Sequence, residues 1–348
     1  MYKLEQENYK KVIPLLESSN ELSVFSVING IMPGEIFVND TCHPTTALIQ
    51  TSECNLLAGK IDVDEFNSTI SDELDFWDTV TPDSCRWNSI IPNIHKNIFV
   101  RKYKRRHYSL NIENSLNMNI AYSLPDGYCI EPALPANLRF NRYENSHKLI
   151  SWIENWGNDE AFNEHGVGCY VRTGNIIVSW SISDCSFHDK IAIGVHTDER
   201  YRKKGLGIFA ANETIKKCFS KGFKCIDWLC VDINKGSIAI AEKLGFSLVC
   251  KYDSFTPYPP IENLTDLSET EWNEWGVYLE KATLTEPQLL TECLFAYIKA
   301  NNINKANEML SIHKKKKPIE HDINGLIQYL HTIGMATNFR DNWMNGTI

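Results

Sequence analysis

Between Gly168 and Tyr252 the spacing of apolar positions changes period several times. "GCYVRTGNIIVSWSISD" predicts a strand, a tight "TGN" turn and a second strand. "DKIAIGVHTD" places Ile191, Ile193 and Val195 at a period of two, which predicts a third strand. A basic stretch with two glycines follows, and after it "IFAANETIKKCFSKG" takes on helical spacing. "FKCIDWLCVDIN" predicts a strand, "KGSIAIAEKLGF" a short helix and "SLVCKYDSFTPY" a closing strand. The predicted order is β, β, β, α, β, α, β.

The first third predicts a mixture of helix and strand. "MYKLEQENYKKVIPLLESS" has no long apolar centre and no small-residue cleavage site, so it predicts a first helix and not a secretion signal. "LSVFSVING", "GEIFVND" and "TTALIQ" are short runs of β-branched and aromatic residues between turn signals, and they predict strands. "DVDEFNSTISDEL" predicts a helix start. "KNIFVRKYKRRHYSL" predicts a strand with an exposed basic face at a solvated sheet edge. "DGYCIEPALPANLRF" predicts a linker, and "SHKLISWIENWGNDEAFNEHG" a helix. The last third is helical. "ETEWNEWGVYLEKA" brings Trp272, Trp275 and Leu279 to one face, "EPQLLTECLFAYIKANNINKANEMLSIHKKKK" predicts a helix pair, and "HKKKKP" a solvated helix end.

Composition narrows the class. With 348 residues the chain is long enough for two or three domains. No run approaches the roughly 18 apolar residues that span a bilayer. Eleven cysteines without a CxxC pair predict reduced thiols in a cytoplasm, with neither a disulfide frame nor a metal site. A formal net charge of −9 repels nucleic acid and favours cationic partners such as amines. An anionic ligand then needs a local basic patch that works against the global field.

"ERYRKKGLG" supplies such a patch. It follows a predicted strand and precedes a predicted helix, so the amides at the helix start can meet phosphate oxygens with help from the helix dipole. Gly205 and Gly207 permit close approach and free φ, and Arg202, Lys203 and Lys204 add charge. No Lys-Ser or Lys-Thr follows Gly207, so the P-loop pattern fails, and no G-x-G-x-x-G opens a parallel unit.

"VHTDERYRKKGLGIFAA", followed at about 25 residues by "NKGSIAIAEKLGF", resembles the GNAT acetyltransferase superfamily. "SVINGIMPGEIFVND", "PTTALIQ", "EFN" and "NIIVSWSISD" extend the likeness to the GNAT group that includes zwittermicin A resistance protein, from roughly Leu22 to Tyr252. The resemblance implies an α/β (α+β) chain: a GNAT fold with a mixed, mostly antiparallel sheet over 136–256, a degenerate GNAT-like α/β half over 1–135, and a helical extension over 257–348. The first half carries no R-x-x-G-x-G, so one cofactor site is expected.

The same resemblance implies acetyl-CoA as co-substrate. Its pyrophosphate is expected on Arg202, Lys203, Lys204, Gly205, Leu206, Gly207 and Ile208. Val195 and Thr197 are expected beside it on the strand, with Asn234 and Ser237 along the pantetheine arm. Backbone N–H groups at Gly194 and Val195 match the positions that polarise the thioester carbonyl. The superfamily often uses a tyrosine of the later helix to protonate the leaving thiolate; that place is Ala241, so Tyr252, Cys250 or a water is left for the task. Carboxylates that can serve as base are Asp184, Asp189 and Asp232, each also readable as a turn or cap residue. Cys230 is expected to be a buried thiol more than an acyl carrier, and His196 a packing histidine.

The expected activity is transfer of an acetyl group from acetyl-CoA to a small-molecule amine, an amino antibiotic or another amino metabolite, in a ternary complex, with neither nucleic acid nor membrane as partner. Two rival expectations stand beside it. One is an acyl-CoA-binding regulator without turnover. The other is a protein N-acetyltransferase docked, or a homodimer formed, through the helical tail.

Overall fold

The structure, a computed structural model, describes residues 1–16, 21–75, 78–95, 100–115, 124–256, 268–285 and 287–316. The chain forms two compact units, Met1–Pro260 and Ile261–Ile348.

The first unit is built on one twelve-stranded sheet. Its strands are β1 (Tyr2–Lys3), β2 (Glu35–Val38), β3 (Thr46–Gln50), β4 (Asn55–Gly59), β5 (Val80–Pro82), β6 (Arg101–Asn111), β7 (Cys129–Pro132), β8 (Gly168–Thr173), β9 (Ile176–Phe187), β10 (Lys190–Thr197), β11 (Cys225–Val231) and β12 (Ser247–Thr256). They lie in the order β1-β2-β3-β4-β5-β12-β6-β11-β10-β9-β8-β7. Read inward from either edge, each strand of one half has a counterpart six strands later in the other. The inner pair is exchanged: β12 lies beside β5, and β6 lies beside β11. Each half has one parallel step, β4 with β5 and β10 with β11, and the other pairings are antiparallel.

Strand alternation divides the core between the two faces. On one face Ile36, Val38, Ala47, Ile49, Leu56 and Ala58 of the first half join Tyr170, Trp180, Ile182 and Ala192 of the second in a shared core. On the other face each half has its own. Phe37, Leu48 and Leu57 pack with Phe66, Ile70 and Trp87. Ile191, Ile193, Ile226 and Trp228 pack under the helices Leu206–Ser220 and Lys235–Lys243 through Ala211, Ile215, Ala241 and Leu244.

The strand and helix pattern predicted between Gly168 and Tyr252 is present. Elsewhere the structure corrects several expectations. "LSVFSVI" is a helix, Leu22–Ile28, with six of its seven residues buried. A short run that is apolar on every side has no period with which to distinguish helix from strand. The expected first helix is a short strand and a 3-10 helix, Gln6–Leu15, with Pro14 inside it. The basic strand β6 is interior, paired to both β11 and β12, not an edge. The expected linker holds β7 and the helix Pro135–Asn141. The single helix expected after it is two, Ser146–Glu154 and Asp159–His165, with Gly157 between them at φ +87°.

The second unit contains the helices Glu269–Ala282, Leu290–Lys299 and Ile303–Lys316. Ser268 and Glu271 form a reciprocal cap at the start of the first, and Trp272, Trp275 and Leu279, expected on one helical face, are all buried. The last lysine and proline of "HKKKKP" lie outside the described residues. Among the described residues no helix is long and apolar enough to cross a membrane, and no group of His, Cys, Asp and Glu has the arrangement of a metal site. All eleven cysteines are free thiols.

Candidate active site

The site is built around the parallel step of the second half. β10 and β11 pair only at Lys190–Cys225, Ile191–Ile226 and Ala192–Asp227. Beyond that point β10 stays on β9 and β11 stays on β6, so the two strands part and open a notch. Accessibility follows the parting: Ile191 to Ile193 are buried, whereas Gly194 to Thr197 are half-exposed. Successive strand residues turn their N–H groups to opposite neighbours. One of the two amides at Gly194 and Val195 therefore faces away from β9, toward the notch.

The glycine stretch closes the end of that notch, and its two glycines do different things. Gly205 sits at φ +76° before the helix Leu206–Ser220, no side chain caps the helix, and a Cβ there would meet nothing within 4 Å. In the first turn Ile208 N donates to the Gly205 carbonyl at 3.1 Å, and among the described residues the Leu206 and Gly207 amides are left for a ligand, as phosphate binding requires. Gly207 faces inward. A Cβ on it would lie 3.0 Å from Thr197 Oγ1 and 3.5 Å from both Val195 and Ile240, so its absence lets the helix start settle onto β10. Arg202 Nε donates to the Thr197 carbonyl at 3.2 Å and braces the loop. Lys204 Nζ donates to the Tyr128 hydroxyl at 3.2 Å and lies over the Tyr201 ring. Lys203, at φ +63°, has no ion-pair partner among the described residues. The Leu206 side chain is core, which leaves only its backbone for a ligand, and Ile208 packs beside the helix-face core.

Across the notch, Asn234 caps the helix Lys235–Lys243 by accepting from Ser237 N at 2.9 Å, and the Ser237 hydroxyl accepts from Trp228 Nε1 at 2.9 Å. Both side chains therefore shape the far wall. Ala241 is fully buried under that helix. Cys230 is a buried thiol on the same face, as expected.

Of the carboxylates considered, Asp184 reaches the notch. Between β9 and β10 the register steps from Ala192–Cys185 to Ile193–Ser183, which leaves Asp184 as the extra residue of a β-bulge. Bulges re-aim a side chain, and here the carboxylate lies over Gly194: a Cβ on that glycine would meet Asp184 Oδ2 at 3.0 Å and Trp152 at 3.0 Å. Burial and then the charge of Glu53 push the Asp184 carboxyl well above its usual range, against the pull of Arg105. Asp232 lies elsewhere. It is paired with Arg106 and, at 3.1 Å, with Lys251. Arg106 also bonds Tyr108 in the helix-face core, the side of β6 opposite Arg105. Burial pushes the Asp232 carboxyl up, but hydrogen bonds from Arg106 and Lys251 outweigh it and hold the group below its usual range. Asp189 occupies the exposed turn before β10 and pairs with Lys224 at 3.7 Å. His196 stacks on Trp180 at 4.4 Å, and burial, then Arg202 and Lys148, lower it to about 4.

Tyr252 joins Asp184 through residues that sequence inspection passed over. It sits opposite Arg105 on β6, whose guanidinium lies 6.0 Å from its ring centre. Burial, and then the nearby Glu21 charge, push its hydroxyl well above its usual value. Glu21 precedes the helix Leu22–Ile28 and is 2% exposed. Glu53 lies in the turn between β3 and β4, where Thr51 Oγ1 accepts from its amide at 3.1 Å and donates to Ser23. Burial pushes the Glu53 carboxyl up, Arg105 pulls it down and Glu21 raises it. Burial also opposes the charge on Arg105, but Tyr252, Glu21 and Glu53 together hold it above its usual value. Glu53, Asp184, Arg105 and Tyr252 act on one another in one charged cluster, and each keeps some accessible surface. Burial and then Glu21 also raise the Cys250 thiol.

The sheet is mixed and parts beyond a single parallel step, and behind one of the parted strands lies a helix start that no side chain caps. The family model described as GNAT acetyltransferase matches residues 13–255, and the chain belongs to that family of N-acetyltransferases. It is 27% identical over 242 residues to a Bacillus subtilis protein named uncharacterized N-acetyltransferase YdfB, covering 66% of this chain and 87% of the relative. Among solved structures, a GCN5-related N-acetyltransferase-like protein from Streptococcus suis superposes with a TM-score of 0.59 at 24% identity, over 72% of this chain and 98% of its own. A tandem GNAT protein from the clavulanic acid biosynthesis pathway superposes with a TM-score of 0.51 at 9% identity, over 74% and 98%. These likenesses bear out the GNAT fold, with its mixed sheet and helices.

Proposed function

We propose that this chain transfers an acetyl group from acetyl-CoA to the amine of a small molecule, directly and within a ternary complex. The observation that carries this reading is the meeting of the bulged Asp184 with Gly194 at the mouth of the notch, beside the open helix start behind Gly205. When bound, acetyl-CoA supplies an acetyl group activated as a thioester. Its pyrophosphate fits the Leu206 and Gly207 amides and the charges of Arg202, Lys203 and Lys204, and its pantetheine arm fits the notch between Val195 and Thr197 on one side and Asn234 and Ser237 on the other. The amide of Gly194 or Val195 that faces the notch donates to the thioester carbonyl oxygen.

Asp184 takes a proton from the acceptor ammonium, and a carboxyl raised by burial suits that task near neutral pH. The amine nitrogen then forms the C–N bond, the C–S bond breaks, and the sulfur takes a proton. Tyr252, kept protonated by burial and Glu21, is the donor, in the charged cluster that Arg105 links to Asp184. Asp232 is left with its two cations as a structural group. The first half is a degenerate module of the same plan, the likeness to the group that includes zwittermicin A resistance protein makes an amino antibiotic a candidate acceptor, and the free thiols suit a cytoplasmic enzyme.

Thiol release on mixing the protein, acetyl-CoA and a library of amines tests this reading. Turnover with at least one amine, lost in Asp184→Asn while acetyl-CoA still binds, is the expected result. Failure to bind acetyl-CoA in a calorimeter overturns it.

A further inference from the structure

Gly194 fixes two side chains against each other. A Cβ on it would lie 3.0 Å from Asp184 Oδ2, 3.1 Å from Asp184 Oδ1 and 3.0 Å from Trp152 Cζ3. The carboxylate and the indole ring are therefore no more than about 6 Å apart, which is the reach of a cation–π contact. A cation held by Asp184 is within reach of the Trp152 ring.

Trp152 belongs to the helix Ser146–Glu154, packs on the core shared by the two halves and keeps accessible surface. Its ring meets Trp180 edge to face at 6.0 Å, and Trp180 in turn stacks on His196 at 4.4 Å. Trp180 is buried, whereas Trp152 and His196, at the two ends of this row of rings, are half-buried. Strand alternation places the row. Ile191, Ile193 and Val195 turn to the helices that follow the glycine stretch, so Gly194 and His196 turn to the opposite face. The phosphate loop thus serves one face of the notch, and Asp184, Trp152 and His196 stand on the other.

The row carries no charge of its own. Burial, then Arg202 and Lys148, lower His196 to about 4, so its imidazole is neutral near neutral pH. Lys148 lies one turn before Trp152 on the same side of the helix. A second ammonium on an acceptor would be repelled by these two cations, and a polar chain laid on the rings would leave its hydrogen bonds unmade.

We propose that Trp152 selects the acceptor, and that the acceptor is a monoamine with an apolar, ring-bearing body: its one ammonium sits on Asp184 and its ring packs against Trp152 and His196, the open ends of the row. Offset and edge-to-face contacts with an aromatic row favour a further ring. This inference rests on the proposed role of Asp184 as base.

Calorimetry with 2-phenylethylamine, ethylamine and putrescine tests the proposal without requiring turnover. The protein is expected to bind phenylethylamine at least about tenfold more tightly than ethylamine, and putrescine no more tightly than ethylamine. Trp152→Leu is expected to reduce the preference to about threefold or less while acetyl-CoA binds as before, and in thiol release to raise KM for phenylethylamine while kcat stays within about twofold. Trp152→Phe, which keeps a ring, is expected to retain most of the preference, and urea unfolding checks that both variants fold. Equal binding of phenylethylamine and ethylamine by the wild-type protein, tighter binding of putrescine than of phenylethylamine, or a preference that survives Trp152→Leu overturns the proposal. A preference that Trp152→Leu removes, with no thiol release from any amine, leaves the selecting role of Trp152 standing and counts against the transfer reading.

Discussion

The two halves of the sheet share a strand plan and differ at one junction. In the first half the parallel strands β4 and β5 are joined by a segment whose described part holds two one-turn helices, Asp64–Asn67 and Ile70–Glu73. In the second, β10 and β11 are joined by the basic glycine turn and the fifteen-residue helix Leu206–Ser220. Each junction pairs its parallel strands at three positions. A cofactor notch therefore needs more than a parallel step. It needs a helix whose start is left open, and only the longer connection provides one. Gly59 and Gly205 show the contrast at single residues. Both have positive φ, but a Cβ on Gly59 would strike the Thr45 carbonyl, whereas one on Gly205 would point into open space. The first is a packing glycine, and the second is the one that the proposed function turns to a ligand.

The largest expected effect lies at the junction that works. Asp184→Asn keeps the bulge and removes the proposed base, so kcat is expected to fall roughly 10²–10⁴-fold with acetyl-CoA affinity little changed. The pH profile gives a second check. A carboxyl raised by burial loses its proton later, so kcat/KM should rise with pH along a limb above the usual carboxylate range near about 4. That limb should vanish in Asp184→Asn, and its survival would detach Asp184 from the chemistry.

Next comes the residue that links the halves. Arg105→Met leaves Glu21 and Glu53 enclosed without their cation, and the cost is expected to be about 3–5 kcal/mol in urea unfolding. Arg105→Lys should lose less. The two glycines then test the contrast directly. Gly205→Val strains the turn by about 1–2 kcal/mol, but it should weaken acetyl-CoA binding at least about tenfold, since the branched side chain occupies the space where the phosphates sit. Gly59→Ala should lower stability by about 1–3 kcal/mol and leave acetyl-CoA affinity alone. If both substitutions damage only stability, the two turns are alike and the contrast fails.

The smallest effect is on His196. Its folded value, about 4, lies below the unfolded value of about 6.5, so the unfolded chain binds more protons between the two. Stability is therefore lost as pH falls through that window. His196→Phe should remove a loss on the order of 1 kcal/mol, read by unfolding at pH 7 and pH 5.

Much of the notch was legible because its signals are local. Ile191, Ile193 and Val195 alternate within one strand, and Arg202 to Gly207 and Asn234 to Ser237 are short stretches whose function follows from their place at element ends. The charged cluster around Arg105 was not legible in this way. Glu21, Glu53, Arg105, Asp184 and Tyr252 come from five separate elements, and only the exchanged pairing of β6 and β12 brings Arg105 opposite Tyr252. Nothing in "KNIFVRKYKRRHYSL" tells Arg105, turned to Tyr252 and the acidic groups, from Arg106, turned to the helices, until the partners on both sides are known. Asp184 was readable as a candidate, but the bulge that aims it depends on its register with β10.

The exchange of β6 and β12 also orders events while the chain is being made. A ribosome delivers β6 long before β11, the strand that β6 lies against, and the first half cannot fill the place beside β5 until β12, near the end of the unit, has emerged. The nascent first half must wait with an open sheet edge, a state that invites pairing with other chains. Elongation speed and chaperone cover over that interval are then expected to govern how much of this protein reaches its native form.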